Sequence, residues 1–116
     1  MKLPEIETAL VEAEKVRDYL INPAHPDGWG KARFFLGVGF RREEWTVLAE
    51  ALRRMARDYP VVRSVTSPHG SKYIIDGMLR TPGGQTPSVR SVWIVDARAA
   101  RPRLVTAYPN EGEEQP

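Results

Sequence analysis

Cysteine is absent from this sequence of 116 residues, and its absence excludes disulfide bonds and thiol chemistry. Histidine is scarce as well. Two histidines without a cysteine give no ligand cluster of usual metal-site spacing, so we expect no metal and no other cofactor. No apolar run approaches the roughly 20 residues that cross a bilayer. The start, MKLPEIETAL, has early acids and no apolar core, unlike a secretory signal. We therefore expect a cytoplasmic protein without membrane association.

Two common catalytic signatures are missing too. The glycine pair of TPGGQTP lies between two predicted strands rather than between a strand and a helix, which indicates a hairpin turn and not a phosphate-binding loop. The chain has no G-x-S-x-G segment, and no spacing places a base beside a serine nucleophile. The usual signatures of nucleotide-binding loops and serine hydrolases are therefore lacking.

The first sixty residues carry the period of helices. Apolar residues three and four apart predict helices over residues 12–22, 29–40 and 42–59. The third is the clearest, with an apolar stripe about four turns long. Turn chemistry predicts a loop between the first two helices, and this loop carries His25 between two prolines.

The remaining sequence changes to the two-residue period of strands. The predicted strands cover residues 61–67, 71–81, 88–97 and 102–109. Their links are too short for parallel crossovers, so the strands are antiparallel. The predicted fold is α+β, with two or three amino-terminal helices packed on one face of a four-stranded antiparallel β-meander. Strict alternation places Leu104, Thr106 and Tyr108 on one face of the sheet.

The charge is distributed unevenly along the chain. Residues 61–109 hold seven basic and two acidic residues, whereas residues 110–116 hold three acids and no base. We expect one domain over residues 1–109, followed by a disordered acidic tail over residues 110–116. The positive field of the strand region suits a phosphate-bearing partner, and the alternative is an ordinary solvated sheet face.

His25 and Lys31 are the first candidates for chemistry. Histidine titrates near neutral pH without a perturbed environment. His25 is therefore either a general acid or base, or only the polar corner of a turn between helices. Lys31, near the start of the next helix, suits contact with a phosphate or an oxyanion. His69 lies at a turn tip, where we expect no function.

Arg90, Thr106 and Tyr108 are candidates on the predicted strands. An arginine on a sheet face can bind a phosphate through two nitrogens. Thr106 and Tyr108, two residues apart, are expected to point the same way and to hydrogen-bond a phosphodiester or stack a base. The alternative for each is structural: a cross-strand polar pair, or a tyrosine ring that packs in the core.

Two stretches carry a resemblance to known proteins. They are LPEIETALVEAEKVRDYLINPAHPDGWGKARFFLGVGFRREEW and RSVWIVDARAARPRLVTAYP. Across residues 3–109 the chain resembles a small bacterial domain of unknown function. More distantly it resembles the superfamily of barnase-like, EndoU-like, colicin and RelE ribonuclease toxins. That superfamily has amino-terminal helices before a four-stranded antiparallel sheet, and it cleaves RNA through the 2′-hydroxyl without a metal.

The second resemblance implies roles for the five candidate residues. His25 would be the general acid or base, Lys31 and Arg90 would hold the scissile phosphate, and Thr106 and Tyr108 would position the substrate. The leading hypothesis is a metal-independent, toxin-like endoribonuclease with RNA as its substrate. The alternative is a non-catalytic interaction domain that binds a small operon-encoded partner protein or forms a homodimer.

Overall fold

The computed structural model describes residues 1–99 and 101–110 of the chain. Apart from Asn110, the predicted acidic tail therefore lies outside the described residues. Asn110 itself is buried, and its N–H donates to the carbonyl of Ser88 at 3.0 Å. The last strand is thus fastened at its carboxyl end to the strand beside it.

Three main helical elements occupy the first sixty residues, as the apolar spacing predicts, together with short 3₁₀ turns at Ile6–Thr8 and Arg42–Glu44. Helix α1 (Ala13–Lys15) runs directly into a π-helical segment (Val16–Leu20), and helices α2 (Trp29–Gly37) and α3 (Trp45–Asp58) follow. The first helix is shorter than predicted, and much of it is π-helical. Its wider turn is shown by the N–H of Ile21, which donates to the carbonyl five residues earlier at 3.0 Å.

Helix α3 forms because one side of it is apolar over its whole length. Its buried side chains recur every three or four residues, singly or as adjacent pairs, which covers one face of a helix. They are Leu48, Ala49, Leu52, Met55 and Ala56. Two acidic residues, Glu43 and Glu44, lie in the 3₁₀ turn just before the helix, and Arg57 lies in its last turn. This order of charge complements the helix dipole.

Four strands complete the fold in chain order. They are β1 (Val61–Ser67), β2 (Gly70–Met78), β3 (Ser88–Asp96) and β4 (Arg103–Pro109). Every adjacent pair is antiparallel and the sheet order is β1-β2-β3-β4. The predicted α+β fold, with helices before an antiparallel meander, is confirmed.

The helices cover one face of the sheet. Ile75, Val89, Trp93 and Leu104 lie on that face, are fully buried, and share one core with the apolar sides of the helices. Ser91 is the buried polar residue among them: its hydroxyl accepts the indole N–H of Trp93 at 2.9 Å. A tryptophan that is completely buried needs such a partner for its N–H.

The opposite face of the sheet carries rows of polar and apolar residues, set by the strand register. One row is Asp76, Arg90 and Tyr108, and the next is Ile74, Val92 and Thr106. Val92 is buried but does not belong to the helix-covered core, because it packs on this second face. Two of the predicted candidates, Arg90 and Tyr108, are therefore direct cross-strand neighbours.

One prediction about β4 is wrong. Strict alternation places Leu104 on the same face as Thr106, whereas Leu104 pairs with Trp93 on the core face and Thr106 pairs with Val92 on the opposite one. The register shifts between these two pairs, and Val105 is the extra residue. A β-bulge of this kind reverses the alternation beyond it. Thr106 and Tyr108 do share a face, as predicted.

Within residues 1–99 and 101–110, none of the helices has the length and the apolar character that crossing a membrane requires.

Candidate active site

Three of the five candidate residues meet at the side chain of Tyr19. The His25 ring stands edge-on to the Tyr19 ring, with centroids 4.9 Å apart. The Lys31 ammonium lies 5.4 Å from the centre of the same ring. The hydroxyl of Thr106 lies 3.4 Å from the Tyr19 phenol oxygen. These four residues, here called the Tyr19 cluster, are all half-buried.

Local hydrogen bonds fix the loop that carries His25. The Asn22 carbonyl accepts the N–H of His25 at 3.1 Å, and the His25 carbonyl accepts the N–H of Gly28 at 3.2 Å. The imidazole joins the same network, since its Nδ1 accepts the N–H of Asp27 at 3.0 Å. A neutral imidazole whose Nδ1 accepts a bond carries its proton on Nε2.

Gly28 allows the loop to lie against Tyr19. A Cβ at position 28 would stand 2.7 Å from the Tyr19 carbonyl oxygen and 2.9 Å from its ring. The Gly28 carbonyl then accepts the N–H of Ala32 at 2.9 Å, so helix α2 begins at this contact. Lys31 lies in the first turn of α2, which directs its ammonium back over the Tyr19 ring.

The surroundings of the Tyr19 phenol lower its pKa. Burial raises the pKa of Tyr19. Polar contacts of the phenol oxygen with Thr106 and Lys31 lower it, and so do the charges of Lys31 and Lys15. Together these contributions outweigh burial, so the pKa of Tyr19 lies below its ordinary value. Neither lysine forms an ion pair with a carboxylate in the described part of the chain. No ion pair in that part of the chain therefore draws the charge of these lysines away from the phenol.

Arg90 and Tyr108 lie beside the Tyr19 cluster on the sheet. Tyr108 follows Thr106 by two residues, so their Cα atoms are about 7 Å apart on one face. Arg90 is opposite Tyr108, and its Nε and Nη2 donate to the two carboxylate oxygens of Asp76 at 2.7 and 2.8 Å. The carboxylate partner of Arg90 is therefore already in place in the folded protein.

A cavity of about 520 Å³ lies on another side of the turn that precedes His25. It is lined by Asn22 and Pro23 from that turn and by Leu36, Phe40 and Arg41, with no member of the Tyr19 cluster. No group of three histidine, aspartate or glutamate residues within the described ranges could hold a metal ion. Of the five candidate residues, the structure brings His25, Lys31 and Thr106 together around Tyr19.

Comparison with protein families agrees with the first resemblance. A family described as a domain of unknown function, DUF6883, matches residues 2–111. The chain belongs to this family. The match spans both stretches that carried the resemblance, so that prediction is confirmed. No curated protein matches the chain.

The DUF6883 chain also has a similar solved structure. It is described as a contact-dependent growth inhibition toxin–immunity protein complex from Klebsiella pneumoniae 342. The TM-score is 0.65 at 21% sequence identity, over 92% of this chain and 97% of the other. Identity this low shows a shared fold. The shared fold agrees with the predicted architecture of helices followed by a four-stranded antiparallel sheet.

Tyr19 is the residue that sequence reasoning missed as part of a site. It continues an apolar helical stripe with Val16 and Leu20, and that spacing predicts a core residue. The ring does pack against the core, as predicted, while the phenol oxygen reaches Thr106. The contact joins residues 87 positions apart, and no local pattern in the sequence indicates it.

Proposed function

We propose that this DUF6883 domain is a metal-independent endoribonuclease with its active site at the Tyr19 cluster, flanked by Arg90 and Tyr108. One observation carries the proposal: His25, Lys31 and Thr106, from two distant parts of the sequence, all contact the Tyr19 side chain. Cleavage through the 2′-hydroxyl needs a proton acceptor, a proton donor and a cation at the phosphate, and side chains of these types lie within one cluster.

Lys31 is assigned to the scissile phosphate. It forms no ion pair with a carboxylate within the described residues, so its full charge is available to a phosphate oxygen. Asp76 neutralises much of the charge of Arg90, so Arg90 contributes less to phosphate binding than Lys31 does. Tyr108, on the same sheet face as Thr106, offers a ring on which the neighbouring base can stack.

The assay uses purified protein and total RNA in excess chelator. Wild type is expected to cleave the RNA, and His25→Ala and Lys31→Met are expected to lose most of the activity, by about 10²-fold or more. His69→Ala is the matched control, because His69 is exposed at the β1–β2 turn away from the cluster. Cleavage that needs a divalent ion, or that survives unchanged in His25→Ala, contradicts the proposal.

A second candidate function is binding of a small partner protein, with or without catalysis. The observation that favours it is the similar solved structure, described as a toxin–immunity protein complex. The test is co-expression with the protein encoded by the neighbouring gene, followed by light scattering. A one-to-one complex supports this function. A free chain of 13.1 kDa contradicts partner binding, and a mass twice as large indicates a homodimer instead.

A further inference from the structure

The Tyr19 cluster leaves one group suited to accept a proton. In neutral His25, Nδ1 accepts the N–H of Asp27 and the proton is on Nε2, so neither nitrogen offers a free lone pair to a substrate. In this tautomer Nε2 is a donor, so His25 as the structure shows it cannot take the proton of the 2′-hydroxyl.

The other members of the cluster are no better suited. The Lys31 ammonium has donors and no acceptor, and the Thr106 hydroxyl is a far weaker base than a phenolate. The Asp76 carboxylate, on the neighbouring row of the sheet, is held by Arg90 through both oxygens. The phenol oxygen of Tyr19 lies among these groups, beside Thr106 and under the field of Lys31.

We infer that Tyr19 is the general base of the cleavage, and that its phenolate oxygen takes the proton of the 2′-hydroxyl while His25 donates from Nε2. This inference rests on the endoribonuclease function proposed above, and it changes the assignment of His25 from acid or base to acid. The π-helical segment that carries Tyr19 is a feature often found at functional sites.

The proposed cleavage transfers two protons and exchanges one oxygen at phosphorus for another. The 2′-hydroxyl proton moves to the Tyr19 phenolate, and the 2′-oxygen forms a bond to phosphorus. The bond from phosphorus to the 5′-oxygen breaks, and that oxygen takes the Nε2 proton of the imidazolium form of His25, in which Nδ1 is also protonated and no longer accepts the N–H of Asp27. The products are a 2′,3′-cyclic phosphate and a 5′-hydroxyl. Solvent then returns the proton from Tyr19 to His25, so the reaction consumes no oxidant, reductant or metal.

The contacts around the phenol oxygen favour the charged base. Lys31 and Lys15 place positive charge near it, and Thr106 can donate a hydrogen bond to it. A fixed donor and fixed cations stabilise a phenolate without reorganising when the substrate arrives. Removing either contact should therefore make the phenolate harder to form.

The first experiment follows phenolate formation by ultraviolet absorbance as the pH rises, without any RNA. The chain has four tyrosines, so the titration of wild type is compared with that of Tyr19→Phe. One phenolate is expected to form below the usual tyrosine pKa of about 10, to be missing in Tyr19→Phe, and to form at higher pH in Lys31→Met. A titration unchanged by Tyr19→Phe in this range overturns the inference.

The second experiment measures single-turnover cleavage of a short RNA against pH. Tyr19→Phe keeps the ring beside His25 and is expected to lower the rate by about 10²-fold or more, while binding of the uncleavable 2′-O-methyl RNA stays unchanged. In Thr106→Val, the increase of the cleavage rate with pH is expected to occur at higher pH than in wild type. Phenolate formation, followed by absorbance, should shift to higher pH in the same variant. A role in structure alone would not shift the pH profile. Tyr73→Phe, at a half-buried tyrosine of β2, is the control.

The two proposals fail in different ways. If Tyr19→Phe cleaves like wild type while His25→Ala is inactive, Tyr19 is not the base and the endoribonuclease proposal stands. If wild type cleaves no RNA, both proposals fall. If Tyr19→Phe does not fold, Thr106→Val decides the matter: a pH profile identical to that of wild type overturns the inference.

Discussion

The phenol oxygen of Tyr19 lies 3.4 Å from the hydroxyl of Thr106, and this pair of atoms joins the first helical segment to the last strand. The contact forms because the β-bulge at Val105 turns Thr106 to the face opposite Leu104. Without the extra residue, Thr106 would point into the core beside Leu104, and the Tyr19 cluster would lose its residue from the sheet. An irregularity of one strand therefore completes the candidate site.

Gly28 is predicted to be essential for the position of Tyr19. In Gly28→Ala the new methyl group would stand within 2.9 Å of the Tyr19 ring and 2.7 Å of its carbonyl oxygen. We expect the free energy of unfolding to fall by about 1–3 kcal/mol, because the loop must move away from the ring. Urea unfolding measures this loss, and the contact between the Tyr19 and His25 rings should weaken in nuclear Overhauser spectra.

Gly30→Ala is the matched control for that experiment. A methyl group at position 30 meets no atom within 4 Å, and the position lies in helix α2, where alanine is favoured over glycine. This substitution should raise the free energy of unfolding by about 0.5–1 kcal/mol. Equal stabilities of the two variants would show that the contact between Gly28 and Tyr19 is not tight.

The fold was predictable because the apolar pattern of helices, with residues three and four apart, ends at Pro60, and the two-residue pattern of strands begins after it. The apolar stripe of α3 and the short links between strands left one class of architecture, and family membership followed from the two stretches that resemble the family. The conformation of the first helix was not predictable, since the spacing of Val16, Tyr19 and Leu20 equally fits an ordinary α-helix. The bulge at Val105 was equally invisible, because it is a property of two strands and not of one.

The candidate site was predictable in composition but not in arrangement. His25, Lys31 and Thr106 stood out as polar groups in suitable places, yet their common neighbour Tyr19 fitted the pattern of a core residue. The partner of Arg90 could not be assigned either, because the register that sets Asp76 opposite Arg90 follows from the full sheet. Residues far apart in sequence meet through tertiary packing, which local spacing does not encode.

The hydrogen bond between Ser91 and Trp93 should contribute strongly to stability. Ser91→Ala leaves the buried indole N–H of Trp93 without its acceptor at 2.9 Å. We expect a loss of about 1–3 kcal/mol in the free energy of unfolding, together with a change in tryptophan fluorescence. Ser64→Ala, on the exposed strand β1, is the control and should change the stability by less than about 0.5 kcal/mol. A Ser91→Ala protein as stable as the control would refute this account of the core.

Two ion pairs of the sheet are expected to differ in strength. Arg90 and Asp76 share two bonds and are about one-fifth exposed, whereas Arg103 meets Asp96 through one contact of 3.3 Å and both are more exposed. Asp76→Asn should lower the free energy of unfolding by about 1–3 kcal/mol, because Arg90 loses two charge-assisted hydrogen bonds to a carboxylate that is only about one-fifth exposed. Asp96→Asn should cost less than about 1 kcal/mol. Chemical unfolding of both variants measures the difference, and a larger effect at Asp96 would reverse this ranking.

The acid side of the stability curve should depend on Asp18. The hydrogen bond from Arg17 holds the pKa of Asp18 below its ordinary value, against the opposing effect of burial, and the charges of Arg17 and Arg42 add to it. A carboxyl whose pKa is lower in the folded state stabilises the fold above its unfolded pKa of about 3.9, and this contribution is lost as the pH falls through the folded pKa. Thermal unfolding of wild type and Asp18→Asn should therefore differ most above a pH of about 5 and converge in stronger acid. Arg17→Gln removes the hydrogen bond that contributes most to the lowered pKa of Asp18, so in this background Asp18→Asn should change the stability much less. If the difference in stability between wild type and Asp18→Asn persists in strong acid, it comes from packing and not from charge.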